Sequence, residues 1–270
     1  MWSVARPRWV GYALLSEVVA IALTAAYLIG RPTTRHELVW FSVLLVLGVG
    51  QAEMSRHIER VRRWMGGQTH INVTSVWYTA GAAMLSPGWV SLLAIAIYFH
   101  MWVRVWRLVR SRPAHRVVAS TAWGALSCLA ASWALEVTHL GRLTDAELTS
   151  ARGAAIVLVA ALVFELVNLI VVATGIYLYT HTREITDLVG TWNDNALELV
   201  TLCLGGLTAL SLVYQPVLVI LVFPPLIMLH RNVLIKQLEV AAATDEKTGL
   251  FNAFGWRSVQ IGRASCRERV

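Results

Sequence analysis

Charge is scarce in this 270-residue chain. Asp, Glu, Lys and Arg make up 14% of it and hydrophobic residues 57%, whereas soluble globular domains carry about 25% charged residues. That shortage excludes an ordinary soluble domain, and a mean hydropathy of +0.59 makes the chain an integral membrane protein. Cysteine is scarce too. Cys128, Cys203 and Cys266 have no metal-ligand spacing, so free thiols are expected and a disulfide framework is not. The eight histidines include no H-x-x-x-H or similar local signature. Internal repeats and a low-complexity linker are lacking. A cleavable leader is not expected either, because the first apolar run is about as long as a full span and has no small-x-small exit.

What is present is a series of apolar runs punctuated by arginine. Windows matched to the bilayer thickness give eight candidate spans, at 9–29, 37–54, 71–85, 89–106, 117–138, 153–179, 196–213 and 217–229. The third and last are short, and Pro224–Pro225 interrupts the last, so six or seven spans remain an alternative count. The 12 tryptophans and 7 tyrosines fit membrane-interface belts, with Trp2, Trp9, Trp40, Trp64, Trp77, Trp89, Trp102 and Trp106 near span ends. A formal net charge of +7 in a soluble protein would suggest nucleic acid. Here the arginines lie in short loops, so membrane lipid is the expected partner and nucleic acid is not.

Loop charge sets the expected orientation. With the amino terminus inside, the cytoplasmic segments hold Arg6, Arg8, Arg56, Arg60, Arg62, Arg63, Arg104, Arg107, Arg110, Arg112, Arg116 and Arg183. The opposite side holds Arg31, Arg35, Arg142 and Arg152. An even number of spans returns the carboxyl terminus to the cytoplasm.

Ionisable groups within spans cost a few kcal/mol each near the bilayer centre (about 3) and are functional candidates by default. Glu17, Glu136, Glu165 and Asn168 qualify. Glu165 and Asn168 stand at i, i+3 and project from one face, towards a cation, a polar ligand or a partner helix. Interhelical packing is the plainer role for all four. His100 lies in the fourth span, His57, His70 and His139 near boundaries, and His230 at the exit of the last. Histidines on facing helices can ligate haem or a metal, yet no pair is singled out, and packed or interfacial histidines are the plainer reading. Glu53, Arg56, Glu59, Arg60 and Arg63 extend the second span as a charged helix, either simply solvated or a docking surface for a downstream domain. Pro216, Pro224 and Pro225 bracket or break the last span, a candidate hinge.

Beyond residue 229 the pattern changes. His230 to Ala243 places Val233, Leu234, Leu238, Val240 and Ala241 near one face, which suits a short coiled coil, a signalling helix or a simple helical linker. Then comes Ala243-Thr-Asp-Glu-Lys-Thr-Gly-Leu-Phe-Asn-Ala-Phe254. Asp245 and Thr248 suit helix capping, and Gly249 permits a backbone angle other residues avoid.

With Asp245, Thr248, Gly249, Leu250 and Asn252 in register, this segment resembles the D-x-L-T-G-L-x-N-R-R-x-F turn that opens a GGDEF (diguanylate cyclase) domain. Lys247 stands in place of the usual leucine, and Ala253-Phe254 in place of the usual arginine pair. The resemblance covers about the last tenth of the chain. It implies the sensor part of a bacterial membrane protein that makes cyclic di-GMP from two GTP, acting as a homodimer with magnesium. The family's catalytic hairpin and metal-binding aspartate have no counterpart in the sequence, so no catalytic, cofactor-binding or metal residue carries over and this fragment is inactive by itself.

The expected architecture is therefore an all-α polytopic membrane protein of about eight transmembrane helices, followed by a signalling helix and the first residues of an α/β GGDEF domain. Its parts are a multi-span sensor at 1–229, a helical linker at 230–243, the GGDEF start at 244–260, and a tail at 261–270 that resembles translated adaptor read-through. The expected location is the bacterial inner membrane, multi-pass, with both termini cytoplasmic. The alternatives are a sensor for a degenerate GGDEF domain joined to a phosphodiesterase, and a multi-span transporter.

Overall fold

The computed structural model describes residues 7–64, 74–108, 114–145, 150–182, 184–190 and 192–243. Among them every regular element is helical. The long helices are α1 (Pro7–Ile29), α2 (Arg35–Trp64), α4 (Pro87–Arg104), α5 (Ala114–Val137), α6 (Ser150–Thr180), α8 (Trp192–Tyr214) and α9 (Phe223–Ala243). Two short α-helices, α3 (Ser75–Met84) and α7 (Ile185–Val189), and 3-10 segments at Trp106–Leu108 and Pro216–Val222 complete the set.

Side-chain contacts fix the directions. Trp9 meets His115 and Ser16 accepts from Trp123, so α1 and α5 run the same way. Gly48 faces Ile97 while Glu53 meets His100 and Arg104, so α2 and α4 also run together. Ser75 meets Thr201 and Thr79 faces Gly205, which aligns α3 with α8. Against these, Thr24–Ser91 with Gly88 beneath Leu28 sets α1 antiparallel to α4. Trp123–Gly175 with Arg116–Tyr179 does the same for α5 and α6. Hence α1, α3, α5 and α8 point one way, and α2, α4 and α6 the other. The 3-10 segment packs back along α8, and α9 continues it beside α2.

Among the described residues, five helical stretches are long and apolar enough to cross a membrane, at Pro7–Ile29, Arg35–Ile58, Ala114–Val137, Ala151–Thr180 and Asn195–Tyr214. The sequence windows led to eight, and three of them do not qualify. Window 71–85 contains α3, whose ten residues rise about 15 Å, half the roughly 30 Å hydrocarbon thickness. All ten are buried, so its apolarity reflects enclosure by protein. Window 89–106 is the 18-residue α4, whose last turns carry His100 and Arg104. Window 217–229 is split between the 3-10 segment and α9.

The last of these also corrects the expected break at Pro224–Pro225. Phe223 opens α9, so both prolines fall in its first turn, where a missing N–H removes no intrahelical bond. Pro216 likewise opens the 3-10 segment. The irregularity precedes the proline pair instead of lying on it.

Small residues let α3 sit between its neighbours. A Cβ on Gly205 would lie 2.8 Å from both Thr79 Cβ and the Val76 carbonyl oxygen, so α8 touches α3 backbone to backbone. A Cβ on Gly48 would instead meet the Cδ1 tip of Ile97 at 2.7 Å, an atom able to rotate aside. Gly205→Ala should therefore cost about 2 kcal/mol of stability by overpacking. Gly48→Ala should be close to neutral, since the gain in helix propensity of about 1 kcal/mol offsets a small side-chain shift. Thermal unfolding of the two variants in one detergent checks this ordering.

Candidate functional site

The polar groups of the bundle gather in three places. The first surrounds α3. Its carboxyl end is capped from outside the helix: Leu143 N–H donates to the Ala83 carbonyl at 3.0 Å, the Thr144 hydroxyl to Met84 at 3.3 Å, and the Ser132 hydroxyl to Leu85 at 2.7 Å. At its start, the buried hydroxyls of Ser75 and Thr201 lie 2.9 Å apart. Trp77, in its first turn, packs near Gly48 and places its ring 5.9 Å from that of Phe223, the first residue of α9. One turn further along this face of α2, Gln51 donates to Ser55 at 3.2 Å. The Gln51 Oε1, Trp77 Nε1 and Thr79 Oγ1 atoms are buried without a hydrogen-bond partner among the described residues. Each such group costs about 1–3 kcal/mol when left unmade.

The second place is a carboxylate clamp between α2 and α4. Glu53 receives Arg104 in a two-point contact, Nε to Oε1 at 2.6 Å and Nη2 to Oε2 at 3.1 Å. His100 Nε2 lies 3.1 Å from Oε1, and Arg56 Nη1 donates to Oε2 at 3.2 Å. The two-toothed geometry matches a planar guanidinium to a planar carboxylate.

The third lies at the opposite end of the bundle. Glu136, in the last turn of α5, binds both terminal nitrogens of Arg31 from the α1–α2 loop, Nη2 to Oε2 at 2.9 Å, and accepts from Arg142 Nη2 at 2.5 Å. This carboxylate holds the Arg31 guanidinium above its ordinary pKa range. Arg142 N–H donates to Asp145, and Arg152 donates from Nε to the Leu140 carbonyl at 2.6 Å. The loop turns on Gly141 (φ +75°), with His139 (φ +54°) also in the left-handed region. A Cβ on Gly141 would sit against the Asp145 carboxylate, so the turn admits only glycine without rearrangement.

These contacts locate the sequence candidates. Glu136 and His100 are each part of a polar network, at opposite ends of the bundle. Glu17 in α1 and Glu165 in α6 are half-buried, and each has one carboxylate oxygen buried without a hydrogen-bond partner among the described residues. Asn168 is half-buried on the same side of α6 as Glu165. Among the described residues, no group of three or more His, Cys, Asp or Glu side chains is placed to hold a metal ion. Cys128 is buried and Cys203 exposed, both as free thiols. His57 is exposed, His230 is buried in α9, and His70 lies outside the described residues.

Of the charged extension, α2 runs on to Trp64, but the side chains of Glu59, Arg60 and Arg63 lie outside the described set. The expected linker, 230–243, is the last two-thirds of α9. Asp245, Thr248, Gly249, Leu250 and Asn252, together with Cys266 and the tail, also lie outside the described residues.

Sequence reading missed the enclosure of Gln51 and Trp77 and the pairing of Ser75 with Thr201, whose partners are far apart in the chain. Glu53 was visible in the charged extension of the second span, and His100 as a polar group within the fourth. Their 47-residue separation gave no sign that they meet.

Because Glu136 ties two loops to α5 and is only a fifth exposed, Glu136→Gln should lower stability by about 1 kcal/mol, within the range of partly exposed ion pairs. The difference should shrink as salt rises. Melting curves of the variant and the parent at 50 mM and 500 mM salt (roughly three-fold different Debye lengths) give the measurement. No protein-family model, curated protein or solved structure matches the chain.

Proposed function

We propose that this chain is the membrane sensor part of a diguanylate cyclase, with its output domain beginning near Asp245. The observation that carries this reading is α9. It runs unbroken from Phe223, against Trp77 inside the bundle, to Ala243, immediately before the segment that resembles the GGDEF opening. A continuous helix of 21 residues transmits an axial or rotational displacement where a flexible linker would dissipate it. Residues around α3 and along α6 would bias two arrangements of the bundle, and so of the paired output domains in a homodimer.

Charge supports the same orientation. The end from which α2 and α4 emerge carries the Arg56 and Arg104 clamp, and the arginine-rich segments follow it in sequence. At the other end Arg31 and Arg142 are matched by Glu136, and Arg152 by backbone carbonyls. This charge distribution supports an arginine-rich cytoplasmic end in a bacterial inner membrane, with both termini inside. When bound to the output domain, magnesium would activate the 3′-hydroxyl of one GTP for attack on the α-phosphate of the other. No residue of this sequence is assigned to hold it.

The test is to sequence the source locus through its stop codon and express the complete product. An open frame that departs from this one after Gln260 and reaches a GG(D/E)EF signature, with cellular cyclic di-GMP raised and then lost when that signature is mutated, is the expected result. A stop codon directly after Val270 in clean genomic reads sinks the reading.

One observation favours a transporter as the second reading. A ten-residue helix that starts inside the bundle, next to a 3-10 interruption in the last apolar stretch, resembles the broken helices that form midplane substrate sites. Substrate-induced currents from proteoliposomes, absent from empty vesicles across a panel of amino acids, sugars and organic anions, would favour it over the sensor.

A further inference from the structure

We propose that the connection between α6 and α8 is seated on the membrane surface, with the side chains of Ile185 and Trp192 at the boundary between the headgroups and acyl chains of zwitterionic lipid. The inference requires only that α6 and α8 cross the bilayer, and it is the same for a sensor and for a transporter.

Ile185 is 74% exposed and Trp192 84%. The exposed leucines of α6 belong to a span, where lipid contact is expected. These two side chains lie outside both spans, where bare exposure to water is unfavourable for groups of this size. They are nevertheless close to the span ends, since the apolar stretches run Ala151–Thr180 and Asn195–Tyr214. The chain also stays near the bundle between them. His181, in the left-handed region (φ +58°), ends α6, with its N–H donating to the Tyr177 carbonyl at 2.8 Å and its ring 6.2 Å from that of Tyr177. Helix α7 then packs against α6, and Gly190 (φ +85°) closes it with a 3.0 Å bond from its N–H to the Thr186 carbonyl.

The same level of the bundle carries an aromatic belt. Trp9, in the first turn of α1, places its ring 6.0 Å from that of Tyr179 in the last turn of α6, and Arg116 at the start of α5 lies over Tyr179 at 4.5 Å. Tyr177 is exposed beside them. Amphipathic rings together with arginine mark the headgroup layer, so that layer is what meets Ile185 and Trp192. The sequence of α7 sorts by face in the way this placement needs. Ile185, Leu188 and Val189 stand at i, i+3 and i+4 and share one face, while Glu184 and Thr186 are exposed outside it. One apolar face with polar flanks suits the interface plane. Charge then selects the lipid. Within 181–194 the sequence sets Glu184, Asp187 and Asp194 against Arg183. Anionic headgroups repel a net negative segment, whereas zwitterionic headgroups do not.

The test uses the full 270-residue chain with its own cysteines replaced (Cys128→Ala, Cys203→Ala and Cys266→Ala), in phosphatidylcholine nanodiscs. A nitroxide is attached through Ile185→Cys, Trp192→Cys or Thr186→Cys, and melting temperatures show that each variant is folded. Collisions with oxygen, which concentrates in lipid, and with a water-soluble nickel chelate are read by power-saturation electron paramagnetic resonance. The labels at positions 185 and 192 should lie about 5–10 Å below the phosphates, with oxygen favoured over nickel, while the label at position 186 favours nickel. Replacing half of the phosphatidylcholine by phosphatidylglycerol should raise nickel access at position 185 about two-fold. Nickel access at positions 185 and 192 equal to that at position 186 puts the segment in water and overturns the proposal. Protection of positions 185 and 192 from both reagents means that protein covers them, which overturns it as well. If phosphatidylglycerol leaves the label at position 185 as deep or drives it deeper, the assignment to zwitterionic lipid fails.

Discussion

Everything in this bundle is arranged around the need to satisfy a short helix that has no solvent. A helix of ten residues leaves about four N–H and four C=O groups without intrahelical partners, and in a nonpolar surrounding these must be met by protein. The carboxyl end of α3 meets that need through Ser132, Leu143 and Thr144. Leu143 and Thr144 bring the α5–α6 loop down onto the bundle, and Glu136, the residue after the buried Leu135, ties the same region to Arg31. The small residues of α8 follow from the same requirement, since Gly205 lets the Val76 carbonyl approach a neighbouring backbone.

The two salt-bridge networks have opposite consequences. At the loop end, one carboxylate is enclosed by residues from two connections, so the pairing closes loops. At the other end, Glu53 joins two helices that run in the same direction. Parallel neighbours have no tight turn between them, and a side-chain clamp is what fixes their relative height. Since α9 lies beside α2, the height of α2 also bears on the helix that leaves the bundle.

Much of this architecture was legible in composition. The apolar runs that became α1, α2, α5, α6 and α8 are long enough for hydropathy alone to identify them. Hydropathy measures transfer from water and cannot distinguish lipid from protein as the destination, so α3 read as a short span although its surroundings are side chains. Proline was misread for a similar reason. Its disruption depends on position within a helix, and the start of α9 is set by the preceding 3-10 segment, which residue spacing does not reveal. Glu165 and Asn168 share one side of α6, a relation that i, i+3 spacing makes legible because it is local. The clamp at Glu53 was invisible since it joins residues whose proximity is a property of the packed bundle.

The 3-10 segment at Pro216–Val222 has a mechanical consequence for α9. It is seven residues long. A 3-10 helix rises about 2.0 Å and turns about 120° per residue, against about 1.5 Å and 100° in an α-helix. Over that length, exchange between the two forms changes the reach of the segment by roughly 3.5 Å and the phase of whatever follows by roughly 140°. A change in backbone hydrogen-bonding register inside the bundle would thereby be geared into a large turn of the face that α9 presents at Ala243.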